Sequence, residues 1–206
     1  MINSYGLPFG SRIHVGTVSP PMSNQLFTIG HSTHSEDRFL ELLLQHGIQV
    51  LADIRRFPGS RKFPQFNQEN LASFLPAHGM EYRWIQDLGG RREKTGGGEP
   101  SKNLGLRNES FRNYADYIAT ESFRAGIQEL LKDAENKPTA FMCSESLFWR
   151  CHRRLVSDYL VANGIAIQHI LPTGKLQSHT LTEGAKVEHG ELVYPAAGFG
   201  QKQLFE

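Results

Sequence analysis

Apolar positions along the chain occur in short runs separated by longer amphipathic segments. The runs are typical of buried strands and lie at Leu26–Gly30, Gln49–Ile54, Glu81–Ile85, Thr139–Cys143 and Ile165–Ile170. Helical spacing predicts helices that begin at Ser35-Glu36-Asp37, Asn67, Ser110, Glu121 and Cys151 and end near Gly47, His78, Thr120, Glu135 and Asn163. Ser35 is a good N-cap, with two carboxylates in the following turn and Gly47 as a stop signal.

This alternation of strand and helix favours a parallel sheet with helices on both of its faces. We therefore predict a mostly parallel, Rossmann-like three-layer α/β fold in a single domain over residues 25–195. The pattern weakens after Leu171, which predicts a short irregular or β extension that includes Glu191–Tyr194. Residues 1–24, rich in Gly, Pro and Ser, are expected to form a flexible leader, and residues 196–206 a tail.

Composition and charge exclude several classes of protein. A chain of 206 residues with 39% hydrophobic residues can bury a full core. The net charge of +1 argues against a bulk polycation, so any anion binding has to come from local clusters. No run approaches the roughly 18 apolar residues of a membrane span. Two cysteines without an export signal are expected to be thiols, and we predict a cytoplasmic protein without membrane contact.

Polar side chains follow four of the predicted strands at the points where those strands end. His31 follows the first strand, Asp53-Ile54-Arg55-Arg56 the second, Gly89-Gly90-Arg91-Arg92 the third, and the segment from Cys143 the fourth. Sheets of this type bind ligands at the carboxyl ends of their strands. The sequence therefore predicts a functional crevice at this edge.

The segment from Cys143 to Arg154 holds both cysteines, Glu145, His152 and three arginines. We expect Cys143 to lie at a strand-to-helix corner, where a helix N-terminus lowers the pKa of a thiol. It is either a nucleophile or an inert buried thiol. The order Asp-x-Arg followed by a cysteine loop is similar to that of rhodaneses and cysteine phosphatases, although this loop is Cys-x6-Arg rather than Cys-x5-Arg.

Two further roles remain open for these residues. Cys143, Cys151 and His152, together with His31, have the ligand types of a metal site, although the spacing is irregular and adjacent residues on a helix would point apart. Glu145 and Asp53 could form an acid–base pair, whereas Asp53 could instead hold its loop through an ion pair with Arg55. His31 is either a ligand-facing residue or a satisfied loop residue. The sequence leaves the cofactor open.

Arginines recur in these loops beside aromatic residues. Such clusters bind phosphates while bases stack on the aromatic rings, and the candidate anion-binding residues are Arg55, Arg56, Arg91, Arg92, Arg150 and Arg153. The alternative is a solvated surface with the phenylalanines in the core. Gly96-Gly97-Gly98 in the third loop indicates a mobile lid.

Three segments resemble an uncharacterised bacterial family, domain of unknown function 488. They read TIGHSTHSEDRFLELLLQHGIQVLADIRRFPGSRKFPQFN, DLGGRR and MCSESLFWRCHRRLV, and the resemblance extends roughly from Phe27 to the C-terminus. The family's cysteine segment is usually CAEKDPxxCHR, whereas this chain has CSESLFWRCHR and lacks the Lys-Asp-Pro centre. The resemblance implies a site at these residues but no established activity.

The C-terminal residues suggest a partner. Gln201, Leu204 and Phe205 resemble the Gln-x-x-Leu-Phe peptide that docks on the bacterial sliding clamp, with Lys202 as a departure from its usual form. The alternative is that Leu204 and Phe205 pack against the domain.

These patterns favour an enzyme of unassigned class that acts on an anionic substrate, a nucleotide or nucleic acid, through Cys143, Glu145 and the arginines. The alternative is a non-catalytic nucleic-acid-associated protein recruited through its tail. A metal-dependent or sulfur-transfer enzyme is the third interpretation. The sequence does not predict an oligomeric state.

Overall fold

The computed structural model describes residues 26–94 and 100–196. Five helices are α1 (Glu36–Gln45), α2 (Gln68–Ala77), α3 (Glu109–Tyr117), α4 (Glu121–Ala134) and α5 (Arg153–Ala162). The strands of the main sheet are β1 (Leu26–Gly30), β2 (Val50–Asp53), β3 (Glu81–Trp84), β4 (Thr139–Cys143), β5 (Ile167–Ile170) and β6 (Leu176–Ser178). Strands β7 (Lys186–Glu188) and β8 (Glu191–Val193) form a hairpin.

The sheet order is β3-β2-β4-β1-β5-β6. The first five strands are parallel, and β6 is added antiparallel to β5. Strand β4 lies between β1 and β2, so the carboxyl ends of these three strands are adjacent. The predicted mostly parallel α/β fold is confirmed, and so is the short β extension after Leu171.

Alternation along the buried strands produces two hydrophobic layers. In β4, Phe141 packs in one cluster while Ala140 and Met142 pack in the other, as expected when successive side chains point to opposite faces. The Phe141 cluster contains residues of α3, α4 and α5, and the other contains residues of α1 and α2. The sheet is therefore covered on both faces, which confirms the three-layer arrangement.

The start of α5 differs from the prediction in a way that matters for the site. A short 3-10 turn at Phe148–Arg150 follows β4, Cys151 is extended, and α5 begins only at Arg153. Cys143 is the last residue of β4 and is therefore not the first residue of a strand-to-helix turn. The helix begins directly after the second cysteine instead.

No helix within the described ranges combines the length and apolar character that a membrane crossing needs. The predicted leader and the clamp-like residues Gln201, Leu204 and Phe205 lie outside the described residues, as does the Gly96-Gly97-Gly98 lid.

Candidate functional site

The four loops that follow β1 to β4 come together at one end of the sheet, here called the carboxyl edge. The backbone N–H groups of His31 and Ser32 donate to the carbonyls of Cys143 and Ser144, at 3.0 and 2.9 Å. A Cβ at Gly30 would overlap the backbone carbonyl of Glu145. Glycine at the end of β1 thus permits the cysteine loop to lie directly against its neighbour.

Asp53 and Arg55 form a buried ion pair that organises the second loop. Arg55 donates through Nε and Nη2 to the Asp53 carboxylate, with an Nη2–Oδ2 distance of 2.5 Å. The Tyr82 hydroxyl also donates to Asp53 Oδ2, at 2.7 Å, and Arg55 Nη2 donates to the Phe66 carbonyl at 2.7 Å. These contacts favour the loop-holding ion pair over the acid–base role for Asp53, and they leave Arg55, 6% exposed, little surface for a phosphate.

His31 completes this ion-pair network and is itself fully engaged. Its Nδ1 donates to the Ser32 carbonyl at 3.0 Å, and Arg55 Nη1 donates to its Nε2 at 3.4 Å. The ring stacks on Phe66 with centroids 4.2 Å apart. Burial and the charge of Arg55 lower the pKa of His31 to about 4, so the ring is neutral at pH 7. Both ring nitrogens have partners, as expected of a satisfied loop histidine.

Cys143, Cys151 and His152 form a second polar group at the carboxyl edge, here called the Cys/Cys/His cluster. One side-chain atom from each residue lies within 4.8 Å of the others. His152 Nδ1 is 3.6 Å from Cys151 Sγ and 3.9 Å from Cys143 Sγ. Among the described residues, no other three His, Cys, Asp or Glu side chains converge in this way. His31 does not belong to the cluster.

The adjacent ligands converge because Cys151 is not helical. Its backbone is extended, with φ −124° and ψ 151°, and His152 is the N-cap of α5. The expectation that Cys151 and His152 point apart was wrong, since it assumed that both residues lie on a helix. His152 Nε2 donates to the Ile54 carbonyl at 3.0 Å. In the neutral imidazole this contact leaves the lone pair on Nδ1, which faces the two sulfurs.

The backbone of the third loop lies close against this ring. A Cβ at Gly90 would lie 2.8 Å from His152 Nδ1, and a Cβ at Gly89 would lie 2.7 Å from the Cα of Arg56. Glycine at both positions lets the third loop lie against the second loop and the Cys/Cys/His cluster. Any side chain at Gly90 would cover the Nδ1 lone pair.

Arg153 was predicted to bind a phosphate, but the structure buries it under the cysteine loop. Its side chain is among the largest that are fully buried. Nη1 donates to Thr28 Oγ1 at 2.8 Å, and Nη2 donates to the carbonyls of Glu145 and Ser146. No carboxylate in the described part of the chain contacts this guanidinium. A buried cation without a carboxylate favours a nearby anion, and the neighbouring thiol can supply one.

The two thiols are coupled through their contact. That contact and burial raise the pKa of Cys143. Burial raises the pKa of Cys151, but the hydrogen bond from Cys143 and the charge of Arg153 outweigh it and lower this pKa. Cys143 was expected at a strand-to-helix corner with a lowered pKa. It instead ends β4, away from the start of α5, and its pKa is raised.

The remaining predicted anion-binding arginines divide into two groups. Arg92 donates to the carbonyls of Gln86, Asp87 and Gly89 and lies 3.8 Å from the ring of Tyr117, so it caps a local turn. Arg56 donates to the Arg91 carbonyl at 2.6 Å. Arg91 and Arg150 are exposed, and their guanidinium groups make no hydrogen bond within the described residues.

Glu145 lies in the cysteine loop and is half-buried. One oxygen, Oε1, accepts the backbone N–H of Leu147 at 3.2 Å. Its backbone carbonyl accepts from Arg153. The second carboxylate oxygen has no partner among the described residues.

A buried chain of hydrogen bonds that no sequence motif indicated lies behind the cysteine loop. Asp158 Oδ1 accepts from His179 Nε2 at 2.9 Å, and His179 Nδ1 is 2.8 Å from His169 Nε2. Phe148 stacks on His169 with centroids 3.5 Å apart. Among the described residues His169 Nδ1 has no partner. These residues carry no local motif, so only their tertiary proximity reveals them.

Two cavities lie away from the carboxyl edge. One follows the exposed side of α1, and the other, of about 350 Å³, lies between α3, α4 and the hairpin. The Cys/Cys/His cluster therefore belongs to a different part of the surface from either cavity.

Comparison with known proteins gives a family but no activity. No curated protein and no solved structure matches the chain. The family model described as "Domain of unknown function DUF488" matches residues 35–160, which is more than half of the chain and includes the whole Cys/Cys/His cluster. The chain therefore belongs to the DUF488 family.

Proposed function

We propose that the chain is a metal-dependent enzyme whose ion is bound by Cys143 Sγ, Cys151 Sγ and His152 Nδ1. The observation that carries this proposal is the convergence of three ligand atoms within 4.8 Å at the carboxyl edge. A neutral imidazole and two thiols form a common ligand set for zinc. The proposal takes up the metal-dependent interpretation of the sequence and gives it a specific ligand set.

The interatomic distances support tetrahedral coordination. A tetrahedral ion with metal–sulfur bonds of about 2.3 Å and a metal–nitrogen bond of about 2.0–2.1 Å places S and N about 3.5–3.6 Å apart. The distances from His152 Nδ1 to the two sulfurs are 3.6 and 3.9 Å. Both nitrogen–sulfur distances thus lie within a few tenths of an ångström of those in a tetrahedral site.

The surroundings of the ligands support the same assignment. Metal-binding histidines usually donate their second ring N–H to a carbonyl or carboxylate, which fixes the ring. His152 does this through Nε2 and the Ile54 carbonyl. Arg153, buried beside Cys151, stabilises negative charge on the sulfur. The ring of His152 is therefore held in a ligand orientation, and Arg153 favours the thiolate form of Cys151.

Three protein ligands leave one coordination position for water or substrate, which distinguishes catalytic zinc sites from closed structural ones. Bound zinc lowers the pKa of its water to about 7 and so supplies a nucleophile. Glu145, with one oxygen free of partners in the described structure, is the residue we assign to proton transfer. The proposed reaction class is metal-assisted hydrolysis.

Metal content and cobalt substitution test this proposal. We expect about one zinc ion per purified chain. Loading with Co²⁺ should produce a thiolate-to-metal charge-transfer absorption band in the near-ultraviolet. We expect the ion to be lost in each of the variants Cys143→Ser, Cys151→Ser and His152→Asn. The control is His78→Asn, which replaces an exposed histidine at the end of α2 and should retain the ion. A folded wild-type chain that binds neither ion would refute the metal centre.

A dithiol pair is the second candidate, favoured by the contact between the two sulfurs. Oxidation would form one S–S bond, with two electrons and two protons passing to a peroxide that is reduced to water and an alcohol or a second water. Iodoacetamide labelling distinguishes the two candidates. If the two cysteines are labelled only after a chelator has been added, they are metal ligands. Labelling that is unaffected by chelator but lost after peroxide treatment indicates the dithiol.

Docking of Gln201, Leu204 and Phe205 on a sliding clamp stays a prediction. A pull-down of purified clamp with the C-terminal peptide tests it, and a peptide in which Leu204 and Phe205 are replaced by alanine is the control. Equal recovery of clamp with both peptides would end this proposal.

A further inference from the structure

Two exposed aromatic side chains belong to loops of the carboxyl edge. Phe57 is 65% exposed and Trp149 is 45% exposed, and the other large hydrophobic residues exposed in the described ranges are all leucines. Phe57 belongs to the loop after β2, and Trp149 belongs to the loop after β4, the neighbouring strand. Exposed rings on two neighbouring loops offer flat faces on which the bases of a ligand can stack.

An arginine stands next to each exposed ring. Arg56 precedes Phe57, with its guanidinium carbon 5.6 Å from the ring centroid, and Arg150 follows Trp149. Arg91 lies beside Arg56, because Arg56 Nη1 donates to its carbonyl. Cations that alternate with aromatic rings are typical of surfaces that bind single-stranded nucleic acid.

The loops that carry these residues are fixed to one another through the cluster. His152 Nε2 donates to the carbonyl of Ile54 in the second loop, and Gly90 of the third loop lies against the His152 ring. Arg91 has a φ of 56°, a left-handed backbone conformation that is uncommon for residues other than glycine and is frequent at functional sites. The surface and the cluster are therefore one structural unit.

We propose that single-stranded nucleic acid is the substrate class of this site. Unpaired bases stack on Phe57 and Trp149, while phosphates contact Arg56, Arg91 and Arg150. A duplex fits less well, because its paired bases are not free to stack on protein rings. This inference rests on the proposed metal centre for its role as a substrate site, whereas the binding surface itself does not need the ion.

Fluorescence anisotropy with a fluorescein-labelled oligothymidylate of 20 nucleotides tests the surface. The full chain should bind this probe, and the affinity should fall steeply with salt as counterions are released from the phosphates. Trp149→Ala and Phe57→Ala should each weaken binding by about tenfold or more, as the loss of a base–aromatic stack does. Leu104→Ala, which removes an exposed apolar residue of similar exposure at another place, is the matched control.

The opposing outcomes are distinct. No binding at low salt, or binding that Trp149→Ala and Phe57→Ala leave unchanged, overturns the inference. A wild-type dimer that Trp149→Ala converts to a monomer in light scattering, without any oligonucleotide binding, shows that the aromatic residues bind a second chain and also overturns it.

The same preparations separate this inference from the proposed function. If wild-type protein binds the oligonucleotide and no metal, the metal centre fails and the nucleic-acid surface stands. If it binds metal and no oligonucleotide, the substrate class fails and the metal centre stands.

Discussion

Two polar groups at the carboxyl edge contain residue types that are common in active sites. They differ in the hydrogen bonds that their side chains make. In the ion-pair network of Asp53, Arg55, His31 and Tyr82, charges are matched and both nitrogens of His31 have partners. In the Cys/Cys/His cluster, two sulfurs and one imidazole nitrogen contact one another, at 3.6 and 3.9 Å between nitrogen and sulfur. The first group is held by charged hydrogen bonds. The second consists of weak sulfur contacts among atoms that are all metal-ligand types.

This comparison shows why residue type alone is a poor guide to a site. Asp, Arg and His at strand ends look catalytic in sequence, and here their side chains bond one another across two loops. Cys and His at adjacent positions look unsuited to one ligand, yet here they converge. The partners of each donor and acceptor therefore say more about a side chain than its residue type does.

The largest expected effect comes from removing one partner of the buried Asp53–Arg55 ion pair. Asp53→Ala leaves the buried Arg55 guanidinium without its carboxylate, and the loss of one partner of a buried pair costs about 3–5 kcal/mol of unfolding free energy. Urea unfolding measures this loss. Glu41→Ala, in an exposed ion pair with Arg38, should change the stability little. A small effect of Asp53→Ala would show that the network does not hold the fold.

The next effect comes from adding a side chain against His152 in the Cys/Cys/His cluster. Gly90→Ala would place a methyl group 2.8 Å from His152 Nδ1, and we expect metal affinity to fall by about 10–100-fold, the range seen when the environment of metal ligands is disturbed. Competition with a chromophoric chelator measures the affinity. Gly59→Ala is the matched control, because its Cβ would meet no atom within 4 Å and its φ is not positive. Equal affinities in the two variants would contradict this role for Gly90.

The smallest effect concerns the Asp158–His179–His169 chain of hydrogen bonds. Asp158 accepts hydrogen bonds at one end of the chain, whereas His169 Nδ1 at the other end has no partner among the described residues. Burial, His179 and Arg153 lower the pKa of His169 far below 6.5. Below about pH 6.5, His169 is therefore protonated in the unfolded chain but not in the folded chain. Because the unfolded chain binds this extra proton, the free energy of unfolding falls with decreasing pH until the pKa of His169 in the folded chain is reached. The contribution is at most about 1.4 kcal/mol per pH unit.

His169→Gln should make the unfolding free energy fall less steeply with decreasing pH, because the unfolded chain then takes up one proton fewer. Urea midpoints measured between pH 7 and pH 4.5 determine the slope for each variant. His78→Gln removes an exposed histidine and should keep the wild-type slope. Parallel slopes for wild type and His169→Gln would mean that His169 takes up its proton normally in the folded chain.

The strands and layers could be predicted because they depend on local pattern. The alternation in Thr139–Cys143 places Phe141 and Met142 in opposite layers, and the order of elements then brings four loops to one edge. The bounds of the strands agree within two residues.

The details of the site depended on features that no local pattern carries. The extended backbone of Cys151 follows from the 3-10 turn at Phe148–Arg150, and this turn decides which thiol lies next to the helix. The burial of Arg153 depends on Thr28, a residue of a distant strand. An arginine in a basic segment resembles a phosphate ligand until its tertiary partners are known.

The position of β4 between β1 and β2 has a consequence for how the chain folds. The two N-terminal strands cannot form their final neighbours until the residues of β4 have been synthesised. Until then, both strands carry unpaired edges, the state most exposed to aggregation during folding. Strand β4 therefore joins β1 to β2, which are separated along the chain by α1. Since Cys143 ends this strand, pairing of β4 with both neighbours is also what brings the cysteine loop to the carboxyl edge.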